Sequence, residues 1–155
     1  MKEEIRNTIK DDIDGIKEIL NSNELFPIEY LDHMISDYFD NPQSEEIWFT
    51  YIQDNKVLGF GYCVPEKMTE GTCNLLLIAV RKDYQGKGAG KKMMNYIEHL
   101  LQSMSKRILI VETSSDDQFV LTREFYKKLD YHHEATIREF WSPGEDKIVF
   151  WKKLS

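Results

Sequence analysis

Residues 73–101, CNLLLIAVRKDYQGKGAGKKMMNYIEHLL, restrict the possible folds of this chain more than any other stretch. The unbroken apolar run Leu75 to Val80 suits a strand buried on both faces, and it falls far short of the ~20 residues that span a bilayer. After Gly90, the residues Met94, Ile97, Leu101 and Met104 recur on one helical face, flanked by Met93 and Leu100. Between the two lies Gln85-Gly86-Lys87-Gly88-Ala89-Gly90. A strand, a glycine loop and a helix in that order suit phosphate binding. Glycine permits unusual backbone angles, and a helix start offers unpaired N–H groups and a positive dipole end. Two familiar loops fail on spacing. The nucleotide P-loop needs Ser or Thr directly after Gly-Lys, where this chain has Lys92, and the dinucleotide fingerprint needs G-x-G-x-x-G, where Gly86, Gly88 and Gly90 alternate. The bland alternative is a flexible turn carrying solubilising lysines.

The neighbouring elements alternate. Glu4 to Ile9 is a short strand candidate, and Asp11 or Asp12 can cap a helix with Ile13, Ile16, Ile19 and Leu20 on one face. Pro27 suits the first turn of a second helix, which Asn41-Pro42 ends. IWFTYIQ and KVLGFGYCV, joined by Asp54-Asn55, read as a hairpin. Beyond the glycine loop and its helix come the strand RILIVET, the helix FVLTREFYKKL, and a last strand pair, ATIREFW and KIVFWKKL, around Ser142-Pro143-Gly144. The predicted order is β-α-α-β-β-β-α-β-α-β-β, an α/β (α+β) fold with a mixed, mostly antiparallel sheet flanked by helices. No linker or repeat breaks the 155 residues, so the expectation is one domain over 1–155.

Charge narrows the ligand. A net charge of −7 opposes nonspecific nucleic-acid binding. Residues 11–46 hold eleven Asp and Glu against one Lys, whereas residues 81–92 hold five basic residues against one acid. A local positive patch in a negative molecule suggests one bound anion, although charge runs are commonly plain solvated surface. Cys63 and Cys73 are too few for a disulfide framework or a four-ligand zinc site, and His132 and His133 would point to opposite strand faces, so no metal is expected. The charged start MKEEIRN does not resemble a signal peptide, which makes a cytoplasmic protein without membrane partners the expectation.

VRKDYQGKGAGKKMM, residues 80–94, is similar to the acetyl-CoA signature of the GCN5-related N-acetyltransferase (GNAT) family: Gln or Arg, two residues, Gly, one residue, then Gly or Ala. Gln85, Gly88 and Gly90 hold those positions, and TREFYKKLDY, residues 122–131, resembles the family's penultimate helix. The element order is also the family's. The resemblance implies an enzyme that moves an acetyl group from acetyl-CoA to a primary amine. It implies that the backbone N–H groups of Gly86, Lys87, Gly88, Ala89, Gly90 and Lys91, with Gln85, hold the pyrophosphate. It also implies that Ile78, Ala79 and Val80 present strand backbone to pantetheine, with the Val80 N–H polarising the thioester carbonyl. Tyr126 matches the tyrosine that protonates the leaving thiolate, and an unperturbed phenol, pKa ~10, is still protonated at neutral pH.

Glu112, in LIVETSS, matches the position where several relatives carry a glutamate base. An acid at the end of the apolar run Ile108 to Val111 should be partly desolvated, which suits a base acting through one water. The competing reading is a strand-end carboxylate held by a nearby Lys or Arg. The chain departs from the family pattern at Phe119, where relatives often carry an Asn, and in the longer segment SSDDQ. The acidic first helix pair and the aromatic residues Trp48, Tyr51, Tyr62 and Trp141 would suit a cationic acceptor, a small amine or a protein amine. The aromatic last hairpin could form a homodimer edge. The alternative function is a non-catalytic acyl-CoA-binding or regulatory module, which binds coenzyme A without turnover.

Overall fold

The computed structural model describes residues 2–155. Its elements follow the predicted order: β1 (Glu3–Asn7), α1 (Ile13–Asn23), α2 (Leu31–Asp40), β2 (Ile47–Gln53), β3 (Lys56–Pro65), β4 (Thr72–Val80), α3 (Ala89–Ser103), β5 (Ile108–Ser114), α4 (Val120–Lys128), β6 (His132–Ser142) and β7 (Glu145–Lys153). Short 3-10 turns precede each helix. The strands form a seven-stranded sheet in the order β1-β2-β3-β4-β5-β7-β6. β4 and β5 pair in parallel, while β1 with β2, β2 with β3, β5 with β7 and β6 with β7 pair antiparallel.

Residue contacts divide the chain into two compact units. The first runs to Val64 and includes Leu77–Ile97. Its core joins Ile16, Ile19 and Leu20 of α1, Leu31 and Ile35 of α2, and Trp48, Ile52, Val57, Phe60 and Ala79 of the strands. Strand alternation turns Phe49 to the other face, where its ring lies 5.4 Å from that of Tyr96 on α3. Gly59 lets α3 sit close to β3, because a Cβ there would come within 2.7 Å of Met93 Sδ and 2.9 Å of the Ala79 carbonyl oxygen. The second unit comprises Pro65–Leu76 and Glu98–Ser155. In it Leu109 and Val111 of β5, Tyr126 of α4, Tyr131, and Ile148 and Phe150 of β7 are buried. The Tyr126 ring lies 5.6 Å from Phe150 and 5.7 Å from Tyr131. Every residue of β6 is exposed.

Three local expectations are corrected. β4 is not buried on both faces throughout: Cys73, Asn74, Leu75 and Ala79 are buried, but Leu76 is 44% exposed. The parallel register with β5 runs only from Thr72–Ile108 to Leu75–Val111, so the apolar run outlasts the pairing. Met104 lies beyond the end of α3 and is exposed, because the chain leaves the helix at Ser103. Asp12 stands at the start of α1 without capping it. Its carboxylate accepts bonds from the Ile9 N–H at 2.9 Å and from Arg6 at 2.7 and 3.1 Å, so a guanidinium and an earlier N–H have claimed it.

That claim makes Asp12 an acid-sensitive bolt between β1 and α1. Burial opposes its charge, yet the Arg6 and Ile9 hydrogen bonds together hold its carboxyl below the ordinary value. A depressed carboxyl stabilises the fold fully above its unfolded value of about 3.9, and that contribution is lost as pH falls through the lower folded value. Asp12→Asn should therefore cost about 2 kcal/mol at neutral pH, less than a fully buried pair because Arg6 is partly exposed. Urea midpoints measured between about pH 7 and 2 should converge for wild type and variant in acid. A constant gap would contradict this account.

Candidate functional site

Within the first unit, the corner between β4 and the glycine loop is fixed by its own peptide group. The Arg81 N–H donates to the Leu58 carbonyl at 2.8 Å. The Val80 carbonyl accepts the Asn23 side-chain amide at 3.0 Å and the Gln85 side-chain amide at 3.1 Å. Gln85 thus uses its amide to brace the loop against the strand end. Asn23, the last residue of α1, reaches the same oxygen from 57 residues away, and no sequence pattern singled it out.

The loop then turns through Lys82–Tyr84 and two left-handed glycines, Gly86 at φ 77° and Gly88 at φ 85°. A Cβ at either would meet nothing within 4 Å, so the backbone angle alone requires glycine there, and the loop faces open space. α3 begins at Ala89, and the Lys92 N–H returns to the Gly88 carbonyl at 3.2 Å. The N–H groups of Ala89, Gly90 and Lys91 precede that bond, as the donors of a helix start do. An oxyanion is the natural partner of such a group of donors.

The positive patch is smaller than the residue count suggests. Arg81 pairs with Glu18 at 2.9 Å and Asp83 at 3.5 Å, and Lys92 pairs with Glu3 at 2.9 Å. Lys87 lies over the Tyr84 ring at 4.9 Å, and Lys91 is exposed with no ion pair among the described residues. Lys87 and Lys91 remain available to an anion. Ile78 and Val80 are half-buried, and Ala79 and Ala89 are buried.

In the second unit Tyr126 is 3% exposed, and its hydroxyl makes no hydrogen bond among the described residues. Burial alone pushes its phenol above the ordinary tyrosine range, so it stays protonated well beyond neutral pH. Glu112 has a partner that the sequence named only as a class. Lys147 Nζ lies 2.8 Å from Glu112 Oε2, with the two side chains 12% and 22% exposed. The ammonium also lies 4.0 Å from the centre of the Phe140 ring. Strand alternation separates the two predicted proton carriers. Val111 and Phe150 face α4 and Tyr126, so Glu112 and Lys147 project from the opposite face.

The aromatic residues proposed from sequence are mostly committed elsewhere. Trp48 is fully buried and stacked 4.2 Å from Tyr62, whose hydroxyl donates to Glu46. Tyr51 donates to Glu3. Trp141 stays half-exposed, its indole N–H bonded to the Thr113 carbonyl at 3.2 Å. No group of three or more His, Cys, Asp or Glu among the described residues is placed to hold a metal ion, and no helix there is long and apolar enough to cross a membrane.

A family model described as the acetyltransferase (GNAT) family matches residues 13–131. An uncharacterised N-acetyltransferase of Methanocaldococcus jannaschii is 23% identical over 150 residues, covering 96% of this chain and 90% of its own. The crystal structure of a protein assigned to the GNAT family from Desulfovibrio desulfuricans superposes with a TM-score of 0.92 at 22% identity, covering 99% of this chain and all of the other. An aminoglycoside 6'-N-acetyltransferase in complex with coenzyme A superposes with a TM-score of 0.79 at 17% identity, covering 98% and 97% of the two chains.

Proposed function

We propose, for a chain that belongs to the GNAT family and is an acetyltransferase, that it moves the acetyl group of acetyl-CoA to a primary amine carried by a cationic small molecule or a protein. The observation that carries this reading is the loop of two left-handed glycines opening α3, with the first N–H groups of that helix and with Lys87 and Lys91 outside any ion pair among the described residues. In this reading the N–H groups from Gly86 to Lys91 hold the pyrophosphate, and Lys87 and Lys91 add charge. Ile78, Ala79 and Val80 lie beside pantetheine, and the Val80 N–H polarises the thioester carbonyl. The Asn23 and Gln85 amides anchor the peptide that follows, through the Val80 carbonyl.

Acyl transfer needs a neutral amine, a stabilised tetrahedral oxyanion and a proton for the departing thiolate. Tyr126 supplies that proton, and Glu112 takes one from the amine. Their placement on opposite faces fits two separate proton transfers, one from the amine as it adds to the carbonyl and one to the thiolate when the tetrahedral oxyanion collapses. The whole chain acts as one catalytic domain in this proposal.

The test is a melting series followed by an amine panel. At a hundred times its dissociation constant, acetyl-CoA should stabilise the fold by about 2.7 kcal/mol. Thiol release should then appear with diamines, aminoglycosides or lysine peptides. Stabilisation by ATP in place of acetyl-CoA would reject the donor, and turnover of neutral or acidic amino acids alone would reject the acceptor class. Stabilisation by acetyl-CoA without turnover of any amine would favour the binding module.

A further inference from the structure

We infer that Lys147 holds, within the chain itself, the seat of the acceptor's ammonium: a carboxylate-and-ring site made by Glu112 and Phe140 that accepts an unbranched primary alkylammonium. The site is built for a cation. Glu112 Oε2 lies 2.8 Å from the Lys147 nitrogen, and the Phe140 ring centre lies 4.0 Å from it. An ammonium over an aromatic face and against a carboxylate meets the two groups that recognise cations best outside water. Lysine normally keeps its head in solvent, yet this side chain is only 12% exposed.

The walls are fixed by other contacts. Phe140 meets Trp141 edge-on at 4.8 Å, and the Trp141 indole N–H is tied to Thr113, the residue after Glu112. Phe140 itself is 49% exposed, so the ring that covers the cation also borders solvent. A guest can therefore enter as Lys147 swings out on its flexible stem. The group seated there is an ammonium at the end of four methylenes, a terminus shared by linear diamines, polyamines and lysine side chains.

This deepens the proposed function and rests on it for one step, the proton. A guest ammonium seated against Glu112 gives one proton to the carboxylate. An N–H bond breaks, an O–H bond forms, and the nitrogen lone pair becomes free to attack a carbonyl. Lys147 keeps its own proton and goes to water. The tethered lysine competes at an effective concentration of about millimolar or more, so it weakens the binding of every free amine.

The experiment omits acetyl-CoA, so its outcome is separate from that of the acetyltransfer assay. Calorimetric titration of the full chain with 1,5-diaminopentane should give about tenfold or greater tightening in Lys147→Met, which keeps most of the stem and removes the competitor. Adding Glu112→Gln to that variant should abolish the gain, and neutral 1-pentanol should show none. Equal or weaker diamine binding by folded Lys147→Met overturns the inference, as does a gain that survives Glu112→Gln. A second measurement needs no variant. Saturating 1,5-diaminopentane should move the Lys147 side-chain proton resonances from their ring-shifted positions over Phe140 toward those of a solvent-exposed lysine, and unchanged resonances overturn the inference equally.

Discussion

Tyr126→Phe should lower turnover with acetyl-CoA by about a hundredfold or more while leaving the melting temperature nearly unchanged. The substitution removes one oxygen and keeps the ring. Its contacts with Phe125, Tyr131 and Phe150 survive, and no hydrogen bond among the described residues is lost. A loss of rate in a variant of ordinary stability therefore points to the proton. The pH profile adds a second check. Because burial raises the phenol, the acid form persists as pH rises past neutrality, and an alkaline fall in turnover below about pH 9 should not come from Tyr126. The profile of Tyr126→Phe should then keep the same limb at a lower plateau. Turnover within twofold of wild type would remove Tyr126 from the mechanism.

Gly88→Val should weaken acetyl-CoA binding by about ten- to a hundredfold, for a reason of backbone angle alone. At φ 85° a β-branched residue is disfavoured by about 1–2 kcal/mol, although its Cβ would touch nothing. The loop must relax to another conformation, and the N–H groups around residue 88 move with it. Gly90 provides the contrast. It lies within α3 outside the left-handed region, so Gly90→Ala should fold at least as well as wild type. Titration calorimetry with coenzyme A separates the two. Equal affinities would mean that the loop's backbone does not bind the cofactor.

Much of this was readable before any coordinates. The element order follows from periodicities of two and 3.6, and from turn residues such as Asp54-Asn55, which both adopt positive φ in the hairpin. Gly86 and Gly88 were legible because only glycine takes those angles freely. Hydrophobic character alone misled in two places. Trp48 carries an aromatic ring suited to a cation, but it fills the core under α1 and α2. Leu76 sits in an apolar run, but β5 pairs with β4 only as far as Leu75.

By itself the sequence determined the strand, glycine loop and helix, the order of the elements and the family, because each is written in neighbouring residues and in local backbone preference. Only the tertiary structure decided who partners whom. Asn23 braces Val80, Lys147 neutralises Glu112, and Arg81 and Lys92 are withdrawn from the positive patch by Glu18 and Glu3. The physical reason is register. A charge or an amide finds its partner across strands and helices far apart in the chain, and a residue pattern fixes which face a side chain takes without fixing what waits there.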